Sequence, residues 1–413
     1  MKKTIDAFSC AKRVLKTIIE NLSDLKKPRR KFMKHLFELY LGMRGRYNFT
    51  NLARYGTYCE QSYRNNFAQD FNFLAFNKGL IEQSCSSHKI IAFDPSYISK
   101  SGKHTDHIGR FWSGVSGKAL KGLEIGGIAV VDIDNNTAMS LEAIQTPSPH
   151  SLKAQGKTLI DHYAQKLVER KQTLESLSGH LAVDGYFAKT GFIEAITTKT
   201  ELEVISKLRK DADLRYLYEQ PQEKRRGAPR KYDGKVDVKG PDKKRIILQH
   251  QDDHCKLYTG IVWSIMLKRK IKIAYVEWWK DGEYTGQYAL LFSTDLDLDG
   301  QTIYQYYKSR FQIEFLFRDA KQHVGLNHCQ ARDTAKLYFH FNMSLTTVSM
   351  AKATHYLPLA KKERKAFSME DIKTLYANKV MVHRIFSNLD LDLNCKKIRT
   401  IYQDALFFGR KAA

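Results

Sequence analysis

Cysteines are few in this sequence, and none of them stand in pairs. Six cysteines are spread over 413 residues without a CxxC motif, which argues against a zinc ribbon and against a disulfide framework. The N-terminal MKKTIDAFSCAKRVLK lacks the apolar segment of a secretory signal. No run approaches the ~18 apolar residues of a membrane-spanning helix. We therefore expect a soluble protein of the reducing cytoplasm that has no membrane partner.

Acidic residues are in the minority. The 44 aspartates and glutamates face 68 lysines and arginines, which gives a formal net charge of +24 and a pI near 9.6. Such a balance favours a polyanionic partner, and nucleic acid fits best. The alternative is a basic protein without such a partner. An aromatic content of 12% indicates folded domains, and the length suggests two or three of them.

The first 85 residues predict an N-terminal helical module. Apolar residues recur at helical spacing, and residues 49–64 resemble a helix, a glycine turn at Gly56 and a second helix. Read as a helix-turn-helix, this segment would bind DNA through Gln61 and Arg64 on its second helix. The pattern is loose, and an ordinary helical hairpin explains it equally well.

Two aspartates are predicted to end apolar strands. KIIAFDPSYI stops at Asp94 and HLAVDGYF stops at Asp184. Between them, GLEIGGIAVVDI and TAMSLEAIQT predict two strands that pair with the first as an antiparallel meander. Residues 151–175 predict a long amphipathic helix, and a further helix through FIEAI leads to the strand LEVISKL.

Residues 209–293 interrupt this alternation. Their first part is charged, turn-rich and poor in apolar residues, which predicts a mobile basic arm. Their second part returns to strand patterning around a hairpin turn at 280–282. Trp278 and Trp279 lie there beside basic residues, so they would stack on an unpaired base or pack in the core of the insertion. After Gly325 the sequence is again typical of helices.

The densest group of polar residues lies in IYQYYKSRFQIEFLFRDAKQHVGL, residues 303–326. If this stretch is one helix, then Tyr307, Arg310, Glu314 and Lys321 share a face. The alternative is a solvated face with ordinary ion pairs. Because apolar residues flank Glu314, we expect a buried helix whose carboxylate is paired with Arg310 or holds a cation.

These four residues, at this spacing, resemble the signature of bacterial insertion-sequence transposases of the Asp-Asp-Glu class, in the branch with a Tyr-Arg-Glu-Lys motif. The resemblance implies an α/β fold, a ribonuclease-H-like catalytic core made of a mixed sheet flanked by helices, with a β-rich insertion and helical N- and C-terminal parts. The predicted order of three strands, helix, strand, helix and strand is also that of the ribonuclease-H-like fold. The resemblance covers residues 89–345. With the sequence patterns, we expect a helical DNA-binding module at 1–85, the first part of the core at 86–208, the insertion at 209–293, the final part of the core at 294–345 and a helical region at 346–413.

The resemblance also implies a site. Asp94, Asp184 and Glu314 would be the catalytic carboxylates that bind Mg²⁺ or Mn²⁺, while Tyr307, Arg310 and Lys321 would bind DNA phosphates. Its partners would be double-stranded DNA, namely the terminal inverted repeats and the target, and a second copy of the chain on the DNA. Association with the bacterial nucleoid is expected.

Other acidic residues and histidines compete for these roles. Asp132 and Asp134 also follow a strand, although a hairpin turn accounts for both. The aspartates at 295, 297 and 299 imitate a calcium loop, but Tyr306 replaces its final glutamate, so a helix cap is the better interpretation. His104 and His107 lie in a polar, glycine-rich segment typical of solvated histidines.

The expected function is that of a DNA transposase that cuts and rejoins phosphodiester bonds at the ends of its mobile element. A transposase-derived regulator that binds DNA without cutting it is the main alternative. A ribonuclease-H-like nuclease with another substrate is a third, because a fold does not determine a substrate.

Overall fold

The computed structural model describes residues 2–222, 228–389, 391, 392 and 394–411. They form two compact units, each assembled from separate stretches of the chain. The first unit consists of Met1–Ser87, Pro95–Ser151 and Ile313–Ala413, and the second consists of His88–Asp94 and Leu152–Gln312.

The described chain is a mixture of α-helices and β-strands. The helices are α1 Lys2–Asn21, α2 Lys27–Gly42, α3 Phe49–Tyr55, α4 Glu60–Phe67, α5 Phe73–Ser84, α6 Pro149–Ala154, α7 Leu159–Val168, α8 Lys171–Glu175, α9 Thr190–Lys199, α10 Gly300–Ser309, α11 Gln312–His323, α12 Thr334–His355, α13 Met369–Asn388 and α14 Lys396–Phe407. The strands are β1 Lys89–Ser99, β2 Gly109–Ser113, β3 Lys118–Asp132, β4 Thr137–Gln145, β5 His180–Val183, β6 Glu203–Lys207, β7 Leu214–Leu217, β8 Tyr232–Lys235, β9 Ile247–Gln251, β10 Cys255–Ser264, β11 Arg269–Lys280 and β12 Glu283–Ser293.

The predicted helical character of the first 85 residues is confirmed by α1 to α5. A glycine joins α3 to α4 because the turn leaves no room for a side chain. A Cβ added at Gly56 would lie 1.9 Å from the Tyr63 hydroxyl and 2.7 Å from the Leu52 carbonyl oxygen. Tyr63 is itself held by His35, whose Nε2 lies 2.7 Å from the Tyr63 hydroxyl. The local sequence therefore forms a tight helical hairpin.

In the first unit, α12 packs on the β3–β4 hairpin. The predicted antiparallel pairing of these strands is confirmed, from Ile125 opposite Gln145 to Asp132 opposite Thr137. Helix α12 is buried nearly all round, and its Asn342 side chain accepts from the Ala143 N–H at 2.7 Å and donates to the Ala143 carbonyl at 2.9 Å. This side chain satisfies backbone groups of β4 that would otherwise be buried without partners.

The second unit contains a mixed sheet. Its strand order is β1, β5, β6, β12, β11, β10, β7 and β8, with β9 also paired to β10. Strands β1, β5 and β6 are parallel, whereas β12 runs antiparallel to β6 and the following pairs are antiparallel. Strands of the predicted insertion therefore continue the sheet that begins with β1.

Part of the predicted basic arm forms β-strands, which the sequence analysis did not expect there. Buried Leu214 and Tyr216 belong to β7, which pairs with β10. Arg245 covers the Tyr216 ring at 4.8 Å. The arm can form strands with few apolar residues, because its basic side chains cover its aromatic rings in cation–π contacts. Residues 223–227 of the arm lie outside the described residues.

Three other predictions of element boundaries were wrong. Strand β1 does not end at Asp94 but runs on to Ser99. The predicted long helix at 151–175 is divided into α6, α7 and α8, because Gly156 adopts φ +65 and Thr158 starts α7 with a capping box. Strand β2 lies at the end of a segment that we interpreted as a polar loop.

The predicted single helix at 303–326 is also divided. Helix α10 ends at Ser309, and the Phe311 N–H bonds to the Lys308 carbonyl three residues earlier instead of continuing the four-residue repeat. The expectation of burial all round is wrong as well, because Phe311 is 47% exposed. Arg310 and Phe311 therefore lie between helices α10 and α11 rather than inside a single helix.

Candidate functional site

Asp94 and Asp184 lie on neighbouring parallel strands. Phe93 on β1 is the register partner of Val183 on β5. Asp94 follows the first of these residues and Asp184 the second. Adjacent strands are about 4.8 Å apart, so the two aspartates are neighbours, Asp94 within β1 and Asp184 directly after the end of β5. Both side chains are partly exposed. The register thus brings two partly exposed carboxylates together on neighbouring strands.

Helix α10 and the turn after it supply the groups around these aspartates. The Arg310 guanidinium lies 3.6 Å from the Asp94 carboxylate, and the Arg310 side chain is only 10% exposed. Ile303, with no exposed surface, anchors α10 in the second unit. An arginine carries its charge at any pH that the protein tolerates. A nearly buried cation therefore compensates part of the negative charge of Asp94.

Tyr307 faces the second aspartate. The pKa of its hydroxyl is raised to about 12, mainly because the group is buried, while Arg310 acts to lower this pKa and the Asp184 carboxylate acts to raise it. The Arg310 guanidinium also lies over the Tyr307 ring, 5.7 Å from its centre. At neutral pH the hydroxyl is therefore protonated and can donate a hydrogen bond to Asp184 or to a ligand oxygen.

Glu314 and Lys321 belong to the first unit, whereas Asp94, Asp184, Tyr307 and Arg310 belong to the second. Glu314 is partly exposed and lies in the first turn of α11. The Lys321 ammonium donates to the Ser96 hydroxyl and to the Tyr97 carbonyl, both at 2.9 Å. A common site for all three carboxylates thus stays a prediction.

Strand β6 adds a cation that the sequence analysis missed. Ala182 on β5 pairs with Ile205 on β6, so the register continues to Lys207 beside Asp184. Lys207 is exposed, and the Ser206 hydroxyl donates to the Asp184 carbonyl at 3.1 Å. The sequence analysis did predict the strand LEVISKL, which contains Lys207. It could not place Lys207 beside Asp184, because that depends on the parallel register of β6 with β5.

Gly185 follows Asp184 at a point of close approach. A Cβ added there would lie 3.0 Å from the Lys207 carbonyl oxygen, a backbone atom that cannot move independently. We expect Gly185→Ala to lower stability by about 1–3 kcal/mol, as overpacking does, and to reduce activity by displacing Asp184. The measurement is a melting temperature together with the cleavage rate of the folded protein.

Gly191 offers a matched control for that substitution. It lies in α9, and a Cβ added at this position meets nothing within 4 Å. Alanine favours a helix by about 1 kcal/mol over glycine, so Gly191→Ala should leave stability and activity unchanged or slightly improved. Equal effects of the two substitutions would contradict a special role for the approach at Gly185.

Asp132 is accounted for by the structure of its turn. Its carboxylate has no exposed surface and accepts hydrogen bonds from Ser86 N, Ser86 Oγ, Asn135 N and Asn135 Nδ2 at 2.7–3.0 Å. Four donors occupy the oxygens that a cation would need. The hairpin interpretation is therefore confirmed for Asp132, and Asp134 follows it in the same turn.

The remaining sequence candidates for cation binding have structural explanations. Asp299 caps α10 by accepting from Thr302 N at 3.0 Å, which confirms the helix-cap interpretation of the calcium-like segment. Asp295 lies 3.1 Å from His180 Nε2. His104 is exposed and His107 partly exposed, and neither belongs to a group of metal-ligating side chains in the described chain.

The two candidate DNA-binding residues of the N-terminal hairpin differ in their surroundings. Gln61 is exposed on α4 and donates to Asn65 at 2.8 Å. Arg64 bonds to Glu60 and lies over the Phe49 ring at 4.7 Å. Arg64 thus also holds α3 and α4 together, whereas Gln61 bonds to a neighbour on its own helix.

Trp278 and Trp279 have different neighbours on β11. Trp278 is partly buried and packs on the cluster of Cys255, Leu257 and Val276. The Trp279 ring is covered by the Lys256 ammonium, 3.6 Å from its centre. Packing in the insertion therefore explains Trp278, and one face of Trp279 is already in a cation–π contact.

These surroundings predict separate effects of alanine at the two positions. Trp278→Ala should lower the free energy of unfolding by about 3 kcal/mol, the lower end of the range for buried tryptophan, and leave the processing of nicked DNA ends unchanged. If Trp279 stacks on a base, Trp279→Ala should weaken binding of those ends by about 1–3 kcal/mol. Unfolding by denaturant and end-binding titrations distinguish the two.

Comparison with protein families identifies the class of protein. The model of the transposase DDE domain matches residues 117–350, more than half of the chain. The chain belongs to this family. A search of curated proteins found no match.

The matched segment of this DDE-type transposase contains Asp184, Tyr307, Arg310, Glu314 and Lys321. It begins after Asp94 and after the N-terminal helices, so neither is covered by the match. Transposase function is thereby supported, which agrees with the resemblance at this level. None of the described helices is both long and apolar enough to span a bilayer.

Proposed function

We propose that this protein is an insertion-sequence transposase of the branch with the Tyr-Arg-Glu-Lys signature, which cuts and rejoins DNA at the ends of its own element. The observation that carries the proposal is the pair of aspartates on neighbouring parallel strands, with Arg310 3.6 Å from Asp94. Its membership of the transposase DDE domain family supplies the class of reaction.

The donor set suits a hard divalent cation. Asp94 and Asp184 present carboxylate oxygens beside each other, the ligand type that Mg²⁺ and Mn²⁺ prefer. In the proposal Glu314 is the third ligand. When bound, two such cations activate the attacking oxygen and stabilise the leaving oxygen of a phosphodiester.

The residues around the aspartates then hold the DNA. Arg310 compensates part of the charge of Asp94, and its planar fork is also suited to phosphate oxygens. Tyr307, protonated because its pKa is about 12, donates one hydrogen bond from a rigid ring. Lys321 and Lys207 would contact neighbouring phosphates as point charges.

The proposed arrangement of the chain follows these roles. Residues 86–208 and 294–345 form a ribonuclease-H-like core, and residues 209–293 form its insertion. Residues 1–85 bind the terminal inverted repeats, residues 346–413 are a helical extension, and two copies act together on the DNA in the bacterial cytoplasm. The formal charge of +24 supports extensive phosphate contacts.

The N-terminal role can be tested at Gln61. Gln61→Ala should weaken binding to the element ends by about 1–3 kcal/mol if its amide reads a base, without changing stability. Gln69→Ala, an exposed glutamine just beyond α4, is the control. Equal affinities of both variants and the unsubstituted protein would leave α3 and α4 as an ordinary helical hairpin.

The experiment for the whole proposal uses the full chain and labelled linear DNA that carries the ends flanking its gene, together with a supercoiled target. Cleavage at the ends and their joining to the target in Mg²⁺ or Mn²⁺, and neither in EDTA, is the expected result. End binding without cleavage would instead identify a regulator. Cleavage without joining and without preference for the ends would identify a nuclease.

A further inference from the structure

Three side chains with metal-binding atoms converge where β9 turns into β10. His250 Nε2 lies 3.2 Å from Asp252 Oδ2, and Cys255 Sγ lies 3.7 Å from the same oxygen. The nitrogen, oxygen and sulfur all lie within 4.8 Å of one another. In the described chain no other group of three such residues meets this condition. None of these three residues belongs to the site proposed for DNA cleavage.

The spacing of these atoms fits a tetrahedral metal. Zn²⁺ binds nitrogen and oxygen at about 2.0–2.2 Å and sulfur at about 2.3 Å, so its ligand atoms are roughly 3.3–3.7 Å apart along the tetrahedral edges. The two distances to Asp252 Oδ2 are 3.2 and 3.7 Å. Small rotations of the His250 and Cys255 side chains would therefore place three ligands around one ion.

The carboxylate and the imidazole are held in position by their neighbours. Asp252 Oδ1 accepts the backbone N–H groups of His254 and Cys255 at 2.8 and 2.7 Å, which turns Oδ2 toward the other two ligands. On the far side of the His250 ring, the Gln301 side-chain amide nitrogen lies 3.1 Å from Nδ1. With the amide turned over, its oxygen would accept the Nδ1–H of a histidine that binds a metal through Nε2. A hydrogen-bond partner at the second ring nitrogen is the usual companion of a metal-bound histidine.

The thiol has a protected setting. Cys255 is 7% exposed and packs with Leu257 and Val276, with Tyr304 of α10 against the same cluster. Thiolate ligands select soft or borderline ions over Mg²⁺ and Mn²⁺. The ions that serve phosphodiester chemistry would therefore not compete here.

We propose that His250, Asp252 and Cys255 bind one Zn²⁺ ion, with solvent as the fourth ligand. The ion would join the β9–β10 turn to the first turn of α10, because Gln301 supports His250 and the Gln249 side chain accepts from the Gly300 N–H at 2.7 Å. Helix α10 leads directly to Tyr307 and Arg310. The bound ion would therefore help to fix the position of α10, which carries Tyr307 and is followed by Arg310.

The test uses the full chain after removal of metals by a chelator. Zn²⁺ is titrated against a chromogenic zinc chelator in a large excess of Mg²⁺, and Co²⁺ is added separately to detect a thiolate-to-cobalt absorption band. We expect one Zn²⁺ per chain and a cobalt band. Cys255→Ser and His250→Asn should each weaken Zn²⁺ binding by about 100-fold or more, and Gln301→Ala by about 10-fold, as loss of a supporting hydrogen bond does.

Two substitutions serve as controls. His254→Asn removes an exposed imidazole from the same turn, and Cys395→Ser removes an exposed thiol elsewhere. Both should bind Zn²⁺ as the unsubstituted protein does. A melting curve without metal shows whether each variant folds, and if Cys255→Ser does not, His250→Asn decides the question. Zn²⁺ binding that is equal in His250→Asn and the unsubstituted protein, or a cobalt complex without the thiolate band, would overturn the proposal.

Discussion

Substitution of Asp184 by asparagine is expected to reduce DNA cleavage by about a thousandfold or more, while binding to the element ends survives. The amide keeps the size of the side chain but lacks the charge that holds a divalent cation. Bound cations supply several kcal/mol of transition-state stabilisation, and each 1.36 kcal/mol is a factor of ten in rate. The measurement is single-turnover cleavage of labelled ends in Mg²⁺. Asp94→Asn and Glu314→Gln should behave alike.

Asp132→Asn is the matched control for this series. Asp132 also follows a strand, but its carboxylate is held by Ser86 and Asn135. Its loss should cost about 1–3 kcal/mol of stability, because buried donors lose their acceptor, while the folded fraction cleaves at the normal rate. Undiminished cleavage by Asp184→Asn would remove that residue from the site, and loss of cleavage by Asp132→Asn would put Asp132 in its place.

Alanine at Arg310 is expected to weaken the binding of pre-cleaved ends and to make that binding less dependent on salt. Each phosphate contact with B-DNA contributes about 0.9 to the slope of log affinity against log salt concentration, because counterions are released. Removal of one contact should therefore lower the magnitude of the slope by about that amount. Titrations over a salt series measure it, with folding checked on the same samples.

Lys321→Ala should show the same change in slope together with a loss of stability. Its ammonium donates to Ser96 and to the Tyr97 carbonyl, and hydrogen bonds to charged groups contribute about 1.5–3 kcal/mol. Arg318 provides the control on the same helix, since it is about half exposed and pairs only locally with Asp319 at 3.0 Å. An unchanged slope for Arg310→Ala and Lys321→Ala, with full activity, would return both residues to a structural role.

The sequence by itself determined the elements whose signals are local. The N-terminal helices, the β3–β4 hairpin and the turn at 280–282 follow from apolar periodicity and from turn residues, and Asp281 and Gly282 adopt the positive φ that a two-residue hairpin turn requires. The spacing from Tyr307 to Lys321 also led to the class of DDE-type transposases, which the family comparison supports. These features depend on residues a few positions apart, so short stretches are sufficient to predict them.

Only the tertiary structure decided how distant segments meet. The parallel register of β1 with β5 places Asp94 beside Asp184, and that of β5 with β6 adds Lys207. The hairpin of β9 and β10 likewise gathers His250, Asp252 and Cys255, although their spacing matches no cysteine motif. Parallel pairing joins strands that are far apart in sequence, and its register is set by packing on both faces of the sheet. No local pattern contains that information, so the sequence could suggest each aspartate singly, and the sheet was needed to bring them together.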